Sequence, residues 1–306
     1  MIEEQCWDIP KINRRPVSIY SMLIEKDGLL LGCGAWDRRK QEHSLEIKNA
    51  TPGMIVRTDW SGRVVAETPQ LGNIVYPLIR SPWSGLFVGC RNGDAYFMDG
   101  SLKCQRIGSF GRGVYGIAFS KSLDRLLVGG RNGTLYLLNS AGTITARWPT
   151  PANRLWNLCP DVTCDRFVWA SSYDGILYKL DALTGDIVLA RDLGPGALTL
   201  LCWVNDNVLA AGSLKKRIYL LSRSGELVRE IPTLGGVCFI GKLPDYQGFY
   251  ATDYEGRVWI ADYQGNVRDL FEKNVERNNP IWIVLPWESR RIICAWASGA
   301  ISVLRY

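Results

Sequence analysis

The chain has 306 residues, 47% of them hydrophobic and 11% aromatic, with 12 Trp and 13 Tyr. That composition excludes disorder and supplies enough apolar surface for a large core. The net charge of +6 and a pI near 8.8 permit an anionic partner, but fall short of the balance of a dedicated nucleic-acid domain, so nucleic acid ranks low. No run approaches eighteen apolar residues, and the start, MIEEQCWDIPKINRRP, lacks a basic region followed by a hydrophobic stretch; the expectation is a cytosolic protein with no membrane span.

In chain order, short apolar strands alternate with Gly- and Asn-bearing turns. The first unit begins at SIYSMLI, continues through LLLGCGA and reaches MIVRTDW after an inserted loop, 36–52, that holds the only histidine, His43. The second reads NIVYPLI, LFVGC, DAYFMD and LKCQRIG. In the third, VYGIAFS is followed by RLLVGG, TLYLLN and TITARW, with turns at Arg131-Asn132-Gly133 and Ser140-Ala141-Gly142 that suit the positive φ of tight hairpins. The fourth holds RLWNLCP, RFVWASS, ILYKLDALTG and DIVLARDL; the fifth, sixth and seventh follow to Tyr306. The glycine opening each third strand serves as a ruler. It falls at Gly53, Gly93, Gly133, Gly175, Gly256 and Gly299, with Lys216 in the one place that lacks it, at steps of 40, 40, 42, 41, 40 and 43 residues.

That period is the length of a four-stranded blade, and a single such meander cannot bury both its faces. The chain therefore reads as an all-β, seven-bladed β-propeller in one domain, 1–306. Its last unit lacks a fourth strand, and a segment at about 5–12 is expected to close the ring beside it. The nine Cys lack zinc-ribbon spacing, and most sit inside strands, which points to reduced, buried thiols and no metal centre.

Unit four, YDGILYKLDALTGDIVLARDL, resembles the repeat of quinoprotein-type propellers, with Gly175, Tyr178, Leu180, Asp181, Thr184 and Gly185 at the positions of that motif. Other units keep part of it, at Tyr136 to Asn139, Trp259 to Asp262 and Phe97 to Asp99. The resemblance implies the fold. The quinone and Ca²⁺ of the alcohol-oxidising members are not carried over, because the chain has seven units, no export signal and no adjacent cysteine pair; no cofactor is expected. WD-repeat propellers are the other relatives, and their Gly-His and Trp-Asp signatures are absent.

In a propeller the start of each innermost strand opens on one face. Those starts hold Tyr20, Tyr76, Tyr115, Trp156 and Trp282, with Thr199 and Cys238 in units five and six. The loops expected there carry Arg14, Arg15, Arg112 and Arg154 before inner strands, and Arg91, Arg131, Lys215 and Lys216 after second strands. Rings of this kind can be core filling, or a pocket that keeps the polar handle of Tyr and Trp. Arginines around an aromatic floor suit a carboxylate, a phosphate or an acidic peptide. The expectation is a protein- or peptide-binding platform, a subunit of a cytosolic assembly with a protein partner, an acidic one included. The alternative is a small-molecule enzyme of lyase, cyclase or hydrolase type using the same mouth, with His43 in a lid and Asp253 or Asp174 as candidate bases.

Overall fold

Alternating apolar residues bounded by turn formers produce strands throughout the computed structural model, which describes residues 1–8, 17–35, 53–244, 246–272 and 280–306. Among the described residues there is no helix, hence none long and apolar enough to cross a membrane. Twenty-eight strands among the described residues, numbered here in chain order, form seven four-stranded antiparallel sheets. Blade 3 shows how sequence sets burial. Its inner strand β10 (Val114–Ser120), second strand β11 (Arg125–Gly130), third strand β12 (Thr134–Leu138) and outer strand β13 (Ile144–Pro149) pair in that order. RLLVGG and TLYLL are almost wholly buried, whereas ITARWP alternates half-buried and exposed residues, because only the outer strand meets water along its edge.

The apolar residues between blades form shared cores. Leu127, Leu135 and Leu137 of blade 3 pack with Leu155, Leu158 and Val168 of blade 4. The ring closes in the same way: Ile19, Leu29 and Leu31 of blade 1 join Ile293, Ile301 and Val303 of blade 7. Each blade hides the face that its neighbour would otherwise leave wet.

Five of the six ruler glycines, Gly93, Gly133, Gly175, Gly256 and Gly299, sit in turns in the left-handed region. Gly133 has φ +75°, and a Cβ there would sit 2.0 Å from the Ala152 carbonyl oxygen. Lys216 adopts the same kind of backbone, at φ +60°, without glycine's freedom.

Blade 7 comprises β26 (Ile281–Pro286), β27 (Arg291–Trp296), β28 (Ala300–Arg305) and, outermost, β1 (Ile2–Asp8). The expected closure by an N-terminal strand is present: β1 includes 5–8 of the expected segment and begins earlier, at Ile2, while 9–12 lie outside the described residues. Its ladder runs from Ile2 opposite Arg305 to Asp8 opposite Ala300. Trp7 packs against the blade 1 and blade 7 core and lies on Gly62 of blade 1, where a Cβ would fall 2.3 Å from its ring.

All nine cysteines are free thiols. Cys33, Cys90, Cys238 and Cys294 are buried as expected, whereas Cys159 and Cys202 are half-buried and Cys6 and Cys164 exposed. Burial pushes the Cys33 and Cys90 thiols up to about 12, so they stay protonated and inert.

Candidate functional site

The seven inner strands share a local irregularity. In β10 the ladder with β11 passes from Val114 to Gly116 and skips Tyr115. The same skip occurs at Tyr20, Trp156, Cys238 and Trp282, while Tyr76 with Pro77 and Thr199 with Leu200 fall in skips one residue longer. A residue left out of the ladder in this way belongs to a β-bulge, which re-aims its side chain. All five aromatics anticipated at the mouth therefore occupy one structural position.

Their rings meet across blade boundaries. Tyr76 lies 5.0 Å from Tyr115 between centroids, and Tyr115 5.1 Å from Trp156. On the far side, Tyr20 stacks on Trp282 at 5.8 Å. Two aromatics not anticipated from sequence extend these arcs: Tyr173 stacks on Trp156 at 6.0 Å, and Tyr254 meets Trp282 edge-on at 5.4 Å. Both stand two residues before a ruler glycine, the offset also held by Arg91 and Arg131. At that offset the backbone N–H reaches back to the segment before the inner strand: Arg91 to the Ile74 carbonyl at 2.9 Å, Arg131 to Gly113 at 2.8 Å, Tyr173 to Arg154 at 3.3 Å and Tyr254 to Gly236 at 3.0 Å. Sequence equivalence thus becomes spatial equivalence around one rim.

The collar is uneven. Blades 5 and 6 place buried Thr199 and Cys238 where the other five carry rings. Thr199 gives its hydroxyl proton to the Val237 carbonyl at 3.0 Å, tying the two blades together. Burial pushes the Tyr20 phenol up to about 12 and raises the Tyr76 and Tyr254 phenols well above their ordinary value. These phenols are neutral donors at physiological pH.

Three of the anticipated arginines share the sector beside Tyr76, Tyr115 and Trp156. The Arg154 guanidinium sits 4.4 Å above the centre of the Tyr173 ring. Burial, then the positive charges of Arg131 and Arg91, lower its proton affinity. The Arg91 charge also acts on Tyr20, Tyr76 and Tyr254, which places it within reach of both aromatic arcs. Its Nε is buried without a hydrogen-bond partner among the described residues. Nor does any of the three arginines form an ion pair among the described residues. Neither neighbouring acid, Asp94 or Asp174, forms an ion pair with these arginines. Asp94 pairs with Arg106 at 2.6 Å, and Asp174 accepts the backbone N–H of Ile176 at 3.1 Å and that of Asn153, next to Arg154, at 3.4 Å.

The other candidates are dispersed. Arg112 is exposed, without a hydrogen bond, ion pair or ring contact among the described residues, and Lys215 and Lys216 of blade 5 are also exposed. His43, Arg14, Arg15 and the 36–52 insertion lie outside the described residues. Asp253 is buried, and its carboxyl is pushed up to about 6 by that burial and by Glu255, against the pull of Arg257. One of its oxygens accepts the N–H groups of Glu255 and Arg257 at 3.1 and 2.8 Å, and the other meets the Arg257 guanidinium at 3.1 Å. Those partners hold it as the anchor of its turn. Among the described residues there is no group of three or more His, Cys, Asp or Glu placed to hold a metal ion.

No family model matches the chain, and no curated protein matches it. A chain in the solved structure titled "Crystal Structure of Mitotic Checkpoint Complex" matches at 15% identity over 99% of this chain and 91% of its own length, with a TM-score of 0.77. The two share a fold. At that identity the likeness establishes architecture alone, and because 1627 solved chains match, it does not choose among functions.

Proposed function

We propose that the aromatic and arginine-lined mouth binds a partner protein or peptide, and that the chain serves as an interaction platform within a cytosolic assembly. The observation that carries this reading is the set of unneutralised arginines beside half-buried rings on one rim. Tyr76, Trp156 and Trp282 are only half-buried and Tyr173 is exposed. They offer large, rigid contact area together with polar tips, the residue chemistry of interface hot spots. The propeller backbone holds these groups in place before binding, so little ordering entropy opposes association. A similar fold occurs in a structure whose title names a complex, which supports a platform use. The quinoprotein-type repeat of blade 4 contributes architecture to this reading and no redox chemistry.

The test is a double variant, Trp156→Ala with Arg131→Ala, compared with wild type by native mass spectrometry of protein drawn gently from its source cells. The expected outcome is a polypeptide at fixed stoichiometry on the wild type and its loss from the variant, with the melting curve within about 1 °C. A partner retained on the variant refutes the mouth as the binding face.

A further inference from the structure

Arg91, Arg131 and Arg154 bring three positive charges into one sector of the rim, and no carboxylate among the described residues answers them. Arginine clusters left in this state are matched by an anion with several acceptor oxygens, because the guanidinium presents its donors as a planar fork. The number of charges discriminates among anions. One carboxylate supplies a single negative charge, whereas a phosphate monoester supplies about −1.5 to −2 and three acceptor oxygens. The buried Arg91 Nε adds a donor already stripped of water and waiting for an acceptor. Nearby phenols remain protonated and so do not compete as anions.

The rest of the mouth limits what can carry the phosphate. Tyr115, Trp156 and Tyr173 form a continuous ring surface beside the cluster, with centroids 5.1 and 6.0 Å apart. That surface suits an apolar residue next to the phosphorylated one. Across the rim, blade 6 carries Asp253 and Glu255. Both lie by Arg257, at 3.1 and 3.6 Å, and Glu255 is exposed. A polyphosphate backbone tracking over the mouth would run from the arginines into those acids. The positive sector is a point site, not a track.

We propose that the Arg91, Arg131 and Arg154 sector is a phosphate-recognition subsite for a phosphorylated side chain of a partner peptide. It rests on the platform reading above and specifies what the mouth recognises. The phosphate sits among the guanidiniums, and the adjoining residue packs on Trp156 and Tyr173.

The experiment screens a degenerate peptide library carrying phosphoserine, phosphothreonine or phosphotyrosine at its centre. The best sequences are then measured by fluorescence anisotropy in phosphorylated, unphosphorylated and glutamate-substituted forms. The phosphorylated form is expected to bind at least about tenfold tighter than the other two, a difference of about 1.4 kcal/mol. Arg131→Gln with Arg154→Gln should erase that preference, and Trp156→Ala should weaken both forms alike. Melting curves identify any variant that fails to fold, and Arg131→Gln alone, altering a turn side chain, then carries the comparison. The subsite is overturned by a library that yields no binder, by equal binding of the unphosphorylated or glutamate form, by a preference that survives in the folded arginine variants, or by full displacement with an oligothymidylate at a lower concentration than the phosphopeptide itself requires. Loss of the native partner from Trp156→Ala with Arg131→Ala, alongside no phosphate preference, leaves the platform standing and removes the subsite. A partner retained on that variant removes the platform itself.

Discussion

Replacing Arg91 by methionine should make the protein more stable. The arginine's Nε is buried without a partner among the described residues, and its charge adds to the lowered proton affinity of Arg154. An unsatisfied buried donor costs about 1 to 3 kcal/mol. Arg91 is only half-buried, so the outer guanidinium nitrogens keep part of their hydration and the lower end of that range applies. Methionine covers the same aliphatic stem and adapts to the gap, so little packing is lost. The backbone N–H bond to Ile74 is untouched, since the substitution alters only the side chain. The net expectation is a gain of about 1 kcal/mol, or a rise in Tm of about 1.5 °C for a domain of 306 residues. Calorimetry in phosphate-free, low-salt buffer would measure it, with occupancy of the site by buffer anions thereby avoided. A Tm lowered by 2 °C or more would refute the reasoning, because it would mean that Arg91 contributes to the fold and is not held there for a ligand. Stability given up at a binding site is the usual cost of function.

Two further outcomes follow from the framework. Lys216→Gly should raise stability by about 0.5 to 1 kcal/mol, since it relieves a left-handed backbone costing about 1 to 2 kcal/mol against glycine's larger entropy loss; an unchanged or lower denaturation midpoint in urea would count against a strained turn at φ +60°. Deleting residues 1 to 8 should lower Tm by several degrees and promote association, because it strips β28 of its neighbour and uncovers the Trp7 contact; a monomer with wild-type melting would show that the strand does not close the ring.

Most of the architecture could be read from sequence because the turn glycines carry a steric requirement that leaves few alternatives. Gly133 has no room for a Cβ, and five equivalents recur at almost constant spacing. Strand ends were less legible. Closure was expected around 5–12, but the register depends on which residues meet Arg305 and Ala300 across a ladder, and a single sequence shows no partner. At the site, the aromatic positions were found, but their status as bulge residues was not, because a ladder skip leaves no mark on hydrophobic alternation. Tyr173 and Tyr254 are not legible as rim residues because they stand in turns, where an aromatic breaks no pattern of hydrophobic alternation. They share with Arg91 and Arg131 the offset of two residues before a ruler glycine. Arg112 shows the converse: it precedes an inner strand as Arg154 does, yet stands one residue outside the position that docks under the rim.

The two small residues on blades 5 and 6 settle a problem that rotational symmetry creates. Seven equivalent blades around an axis would present seven equivalent seats, and a partner placed in any of them would find the same welcome. Thr199 and Cys238 interrupt the collar between its two arcs, and the arginines occupy only one flank of that interruption. On the proposed reading the rim would work like a keyed dial: a bound chain would have one orientation about the axis in which its anion and its apolar neighbour both find their places, and the missing tile would specify the geometry of assembly.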